Sequence, residues 1–180
     1  DWAQTNILAS LMCAEDCMDD GFVCTYADIL YRPEVVRRAL EHEAEAVLCV
    51  DTHWRTRYAH RSQHPEDDAE KVTADGDRIT RINRTIPSHE ADGEYIGVAR
   101  FSAQASDQLR RTYHDVRERL GDEPWKAGAP FPKAYLIHLY EEMLEAGHDF
   151  HMVTTDGQYM EVDTEEDLEL ANQRWPKLYG

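Results

Sequence analysis

The chain has 180 residues, 42% of them hydrophobic and 31% charged, so it carries enough apolar material for one folded domain and is not a disordered polymer. Its 36 acidic residues outnumber 19 Lys and Arg, for a formal net charge of −17. A field of that sign excludes a general nucleic-acid binder, because no net positive charge is present to neutralise phosphates. No apolar run approaches the roughly 20 residues that span a bilayer and nothing reads as a signal peptide, so a cytoplasmic protein without a membrane partner is expected.

Thr5 and Asn6 stand before Ile7, Leu8, Leu11 and Met12, a helical spacing with either polar residue as N-cap, and Gly21 stops that helix. Phe22–Asp28 follows as a short buried strand ending in a carboxylate. Pro33 opens a second helix, and Ala46–Val50, ending at Asp51, reads as a strand buried on both faces. Residues 52–68 predict a long loop, rich in His and Arg. Asp75-Gly76 between two β-rich runs predicts a hairpin. Gly93–Phe101 predicts a strand, and Ser102 begins a polar helix that ends near Leu120 and Gly121. Ala134–Ala146 predicts a helix closed by Gly147. Strands over 150–153 and 159–163 come next, and Thr164 caps the last helix with Asp167 near a capping-box position. The four cysteines are expected as buried, reduced thiols, and neither the cysteines nor the histidines have the pattern of a dedicated zinc site.

Two strand-end acids, Asp28 and Asp163, lie far apart in sequence and could meet on one metal. Asp28 could equally cap the turn before Ile29-Leu30.

At this point the pieces resemble a known family. Tyr26-Ala27-Asp28-Ile29-Leu30, Asp51-Thr52-His53-Trp54, Asp68-Ala69-Glu70-Lys71-Val72, Gly93-Glu94-Tyr95-Ile96-Gly97 and Glu161–Leu168 look like nucleotidyltransferases of the phosphocholine and phosphonate cytidylyltransferase type. The match runs from Thr5-Asn6 to about Ala171. The resemblance implies an α/β fold of the GT-A kind, with a mixed, mainly parallel sheet flanked by helices. It implies transfer of CMP from CTP to a phosphocholine-like or 2-aminoethylphosphonate-like acceptor, with release of pyrophosphate and with Mg²⁺ held by Asp28 and Asp163. Such enzymes begin with a strand and a Gly-rich loop that bind the nucleotide. Nothing of that kind stands ahead of Thr5, and no Gly-x-Gly occurs in the chain. The expectation is therefore one nucleotidyltransferase-like domain over 1–180, incomplete at its N-terminus and part of a larger chain, with 52–101 as an acceptor-binding loop and hairpin insertion.

The chemistry is consistent with the absence of a triad. A phosphate monoester has a second pKa of about 6, so the attacking oxygen is already ionised, and catalysis reduces to alignment and charge neutralisation. Trp54 and Tyr58 are candidates to face an acceptor ammonium through their rings, or to cover the core. Arg61, and less readily His64, could meet the acceptor phosphate. Glu94, next to Gly93, and Tyr135 are candidates for the same pocket. Glu161 shares a strand face with Asp163 and could face the metal or an acceptor amine, or be a surface acid. A sugar-phosphate nucleotidyltransferase and a non-catalytic binding domain remain as alternatives.

Overall fold

A computed structural model describes residues 3–121 and 123–179. Among the described residues eight strands and six α-helices follow one another: α1 (Ile7–Met12), β1 (Gly21–Thr25), β2 (Ile29–Tyr31), α2 (Pro33–Glu41), β3 (Ala46–Asp51), α3 (Trp54–Tyr58), β4 (Lys71–Asp75), β5 (Arg78–Ile82), β6 (Gly93–Ser102), α4 (Ala103–Leu120), α5 (Leu136–Glu145), β7 (His151–Thr155), β8 (Tyr159–Glu161) and α6 (Glu165–Tyr179). The helix signals act as their chemistry dictates. Asn6 Oδ1 accepts from the N–H of Ile7 at 2.8 Å, and Ser102 Oγ from that of Ala105 at 3.2 Å. Thr164 and Asp167 exchange the reciprocal bonds of a capping box, Asp167 N–H to Thr164 Oγ1 at 3.2 Å and Thr164 N–H to Asp167 Oδ2 at 3.0 Å.

Six strands form one sheet in the order β1-β6-β3-β7-β5-β4, with β4 also meeting β6. The sheet is mixed, but it is not mainly parallel. Among the described residues only β3 and β7 pair in parallel, Val47 opposite His151 through Asp51 opposite Thr155. The reason is β6, which runs antiparallel between β1 and β3. Residues 52–101, expected as an acceptor-binding loop and hairpin insertion, supply most of this inner strand as well as the β4–β5 hairpin.

The fully buried run of β3 divides its side chains between two apolar layers. Leu48 and Val50 join the large core under α1, α4 and α5, whereas Val47 and Cys49 pack with Val35 and Ala39 of α2. That is the pattern of a strand covered on both faces. β1 is instead an edge strand, and its side chains are half-buried or exposed. The loop expected over 52–68 contains α3 and a short 3₁₀ turn at Glu66–Asp68. All four cysteines are free. Cys49 is buried and Cys24 half-buried, but Cys13 and Cys17 are exposed, because they fall at the solvent-facing end of α1 and in the 3₁₀ turn beyond it. No described helix is long and apolar enough to cross a membrane.

Candidate active site

The two acids meet through a small ribbon that lies outside the main sheet. β2 and β8 pair antiparallel, with Ile29 opposite Glu161. The register carries one step further, since Val162 N–H donates to the carbonyl of Asp28 at 2.8 Å. Asp28 and Asp163 therefore leave adjacent ends of one ribbon. Both strands are shorter than the sequence suggests: β1 stops three residues before Asp28, and β8 two residues before Asp163.

Both acids line a cavity of roughly 440 Å³. Its walls hold five tyrosines (Tyr26, Tyr58, Tyr95, Tyr135 and Tyr159) and six carboxylates (Asp28, Asp68, Glu70, Glu94, Glu161 and Asp163), against Arg84 and His64 as the basic side chains. Tyr58, Glu94, Tyr135 and Glu161 are among these lining residues. Trp54 is not. It is 2% exposed and packs edge-on against Tyr58 in a small cluster with Ala69. Arg61 does not line this cavity either. Its guanidinium is committed to carboxylates, donating to Asp167 Oδ1 at 2.6 Å, Glu161 Oε2 at 3.1 Å and Asp163 Oδ2 at 3.0 Å. The acids brought together here need a counter-charge, and Arg61 meets that need before any ligand arrives. His64 Nδ1 approaches Asp163 Oδ2 at 3.1 Å, and His64, Glu161 and Asp163 present donor atoms within 4.8 Å of one another.

Beneath the cavity lies a second ionic cluster. The β3–β6 register sets Asp51 directly opposite Glu94, an unfavourable pairing of like charges. Arg57, from α3, resolves it by bridging both carboxylates, with its guanidinium 4.4 Å over the ring of Tyr159. Asp51 is fully buried, and its Oδ1 also accepts from the N–H groups of His53 and Gly157, each at 2.9 Å. Tyr58 Oη donates to Glu94 Oε1 at 2.7 Å. Glu94 is therefore a bonded floor of the cavity. Gly93 beside it makes room for β3, since a Cβ there would stand 2.4 Å from Val50 Cγ1.

On the opposite wall Tyr26 Oη donates to Glu70 Oε2 at 2.9 Å, and Arg84 lies 3.6 Å from Glu70 and 4.0 Å over the ring of Tyr135. Gly97 has φ +76°, and the Tyr26 ring occupies the space its Cβ would take, at 2.4 Å. Glu70 and Arg84 were not picked out as site residues from the sequence. The only signal was Glu70 inside a family-like motif, and a carboxylate at a strand's start is otherwise ordinary.

The excess of acid shows in the carboxyl groups. Burial pushes Glu70 up to about 7, against the pull of Arg84. Burial, then Glu94 and Asp163, push Glu161 up to about 8. A wall that holds protons near neutrality accepts cations in their place, whether metal ions or ammonium groups. Among the described residues the donor atoms that come together in this cavity belong to His64, Glu161 and Asp163, while Asp28 lines the same cavity outside that group; the carboxylate oxygens are the hard donors that Mg²⁺ takes.

No protein-family model matches the chain. It is 25% identical over 178 residues to a CTP:phosphoglutamine cytidylyltransferase from Campylobacter jejuni, covering 95% of this chain and 69% of that one. The inositol-1-phosphate CTP transferase from T. maritima superposes with a TM-score of 0.65 at 16% identity, over 93% of this chain and 59% of its own. The CTP:phosphocholine cytidylyltransferase from Streptococcus pneumoniae gives a TM-score of 0.63 at 14% identity, over 96% and 64%. The chain thus spans about three-fifths of the length of these solved relatives. It has the nucleotidyltransferase fold, and along nearly its whole length its sequence is similar to that of a cytidylyltransferase.

Proposed function

We propose that this protein transfers CMP from CTP onto a small acceptor with a phosphate or phosphonate at one end and an amine at the other, releasing pyrophosphate. The observation that carries the reading is the shared cavity. Asp28 and Asp163 converge there from distant parts of the chain, and tyrosine rings and an acid excess surround them.

The residues divide the work. Arg84 is the guanidinium among the lining residues and would take the acceptor phosphate or phosphonate, already ionised and needing no general base. Glu161 and the rings of Tyr58 and Tyr159 would take the amine. An ammonium over an aromatic face gains about 0.5–2 kcal/mol, and a positive charge beside Glu161 favours its ionised form. Asp28 and Asp163 would hold Mg²⁺, which when bound supplies charge neutralisation at the phosphates. Arg61 and His64 hold Asp163 in place meanwhile. An amine is favoured over a sugar because Asn6 is the lone Asn or Gln among the lining residues, leaving few neutral amide groups for hydroxyls.

The test is pyrophosphate release by the full-length protein given CTP and Mg²⁺. Phosphocholine, 2-aminoethylphosphonate, 2-hydroxyethylphosphonate, phosphoglutamine and a sugar 1-phosphate would be offered in turn. Release is expected with an amine-bearing acceptor, and Asp28→Ala or Asp163→Ala should abolish it without loss of fold. Release with the sugar phosphate alone, or with none, would overturn the reading.

A further inference from the structure

A second cluster of metal-ligating side chains lies away from the acceptor cavity and shares no residue with it. His42 caps the C-terminal end of α2, Asp77 sits in the β4–β5 turn, and His151 begins β7. The fold brings these three segments together. His42 Nε2 is 3.2 Å from Asp77 Oδ2, and His151 Nδ1 is 3.4 Å from Asp77 Oδ1. The three residues offer ligand atoms within 4.8 Å of one another, and the imidazole rings stand 5.6 Å apart. His151 Nδ1 is buried and makes no hydrogen bond of good geometry. Its near polar neighbour is the Asp77 carboxylate, so both imidazoles face one acid.

We propose that His42, Asp77 and His151 bind a zinc-like divalent cation. Two imidazoles and one carboxylate are the donors that borderline transition metals select, and they leave a fourth position for water. Mg²⁺, which takes oxygen ligands, is a poor match for them. The tautomer limits the affinity. Ala44 N–H donates to His42 Nδ1 at 3.1 Å, so the ring proton now sits on Nε2, facing Asp77. Metal at Nε2 moves that proton to Nδ1 and gives up the bond from Ala44. Affinity should therefore be micromolar and not that of a closed structural site.

The cation would staple a narrow seam. β5 and β7 meet in register at one pair, Arg78 opposite His151, and the flanking bonds are Ile79 N–H to Phe150 O at 2.8 Å and Met152 N–H to Asp77 O at 2.7 Å. Joining α2, the hairpin and β7 at one ion would hold that seam closed.

The experiment is calorimetric titration of the metal-stripped full-length protein with Zn²⁺ in a His64→Ala background, which takes the imidazole out of the His64–Glu161–Asp163 cluster, with Mg²⁺ in excess to occupy the remaining carboxylates of the cavity. One saturable equivalent is expected, with a rise in melting temperature, and the excess Mg²⁺ should leave it unchanged. His42→Ala and His151→Ala should each weaken binding by at least about tenfold. Both side chains are about a quarter exposed, and circular dichroism would check their fold. If His151→Ala disturbs the seam, His42→Ala decides. Absence of saturable binding, or binding that His42→Ala leaves intact, overturns the proposal.

Discussion

Replacing Arg61 by Met tests whether the acid assembly depends on its internal cation. Arg61 is 4% exposed, and its partners Asp167, Glu161 and Asp163 are 3%, 19% and 27% exposed. Removing one member of such a buried group leaves uncompensated charge and costs about 3–5 kcal/mol. The lower end applies here. Asp167 keeps bonds from Thr164 and the Asp163 N–H, and a Glu161 carboxyl pushed up to about 8 avoids much of the cost by staying protonated. A loss of about 3 kcal/mol is expected near pH 7. Its pH dependence identifies the cause. Burial works against the Asp167 carboxylate, but hydrogen bonds from Arg61 and Thr164 outweigh it and hold its pKa below the usual range. Such a group contributes stability that is present above its unfolded pKa and lost as pH falls through the folded one. Without Arg61 the burial effect is unopposed by that cation, so Asp167 takes up a proton at higher pH. The destabilisation should then shrink as pH falls toward 4. Urea unfolding of both proteins from pH 4 to pH 8 measures this. A loss under about 1 kcal/mol, or one that does not change with pH, would refute the argument.

Glu70→Gln should flatten the pH dependence of stability. A carboxyl pushed up to about 7 contributes stability that is full below its unfolded pKa and lost as pH rises through 7, on the order of 3 kcal/mol, and Gln removes that titration; urea midpoints at pH 5 and pH 8 would show it. Trp54→Ala should cost about 3–5 kcal/mol of fold, since the ring is 2% exposed; a thermal melt that barely moves would return Trp54 to the list of acceptor contacts. Gly97→Ala forces a side chain into positive φ and against Tyr26; a loss of at least about 1–2 kcal/mol by chemical denaturation is expected.

Much of the chain could be read without coordinates, because local chemistry dominates there. Asn6, Ser102 and Thr164 cap helices through bonds to backbone groups one to three residues away. The Asp75-Gly76 turn joins neighbouring strands, and the unbroken apolar run of β3 announces burial on both faces. Asp28 and Asp163 could be read as strand-end acids, whereas Glu94 and Tyr135 were marked only by the family resemblance; these four line one cavity with Tyr58 and Glu161.

What the sequence determined was each element's period, its caps and the kind of side chain it carries, since these depend on neighbours in the chain. Tertiary structure decided the pairing of elements. The antiparallel course of β6, the β2–β8 ribbon that joins Asp28 to Asp163, and the Asp51–Glu94 register are all settled by contacts between distant segments. Those contacts also turned Arg57 and Arg61 inward. Once carboxylates are packed away from water, the nearest guanidinium is drawn to them, and residue spacing holds no record of which carboxylates those will be.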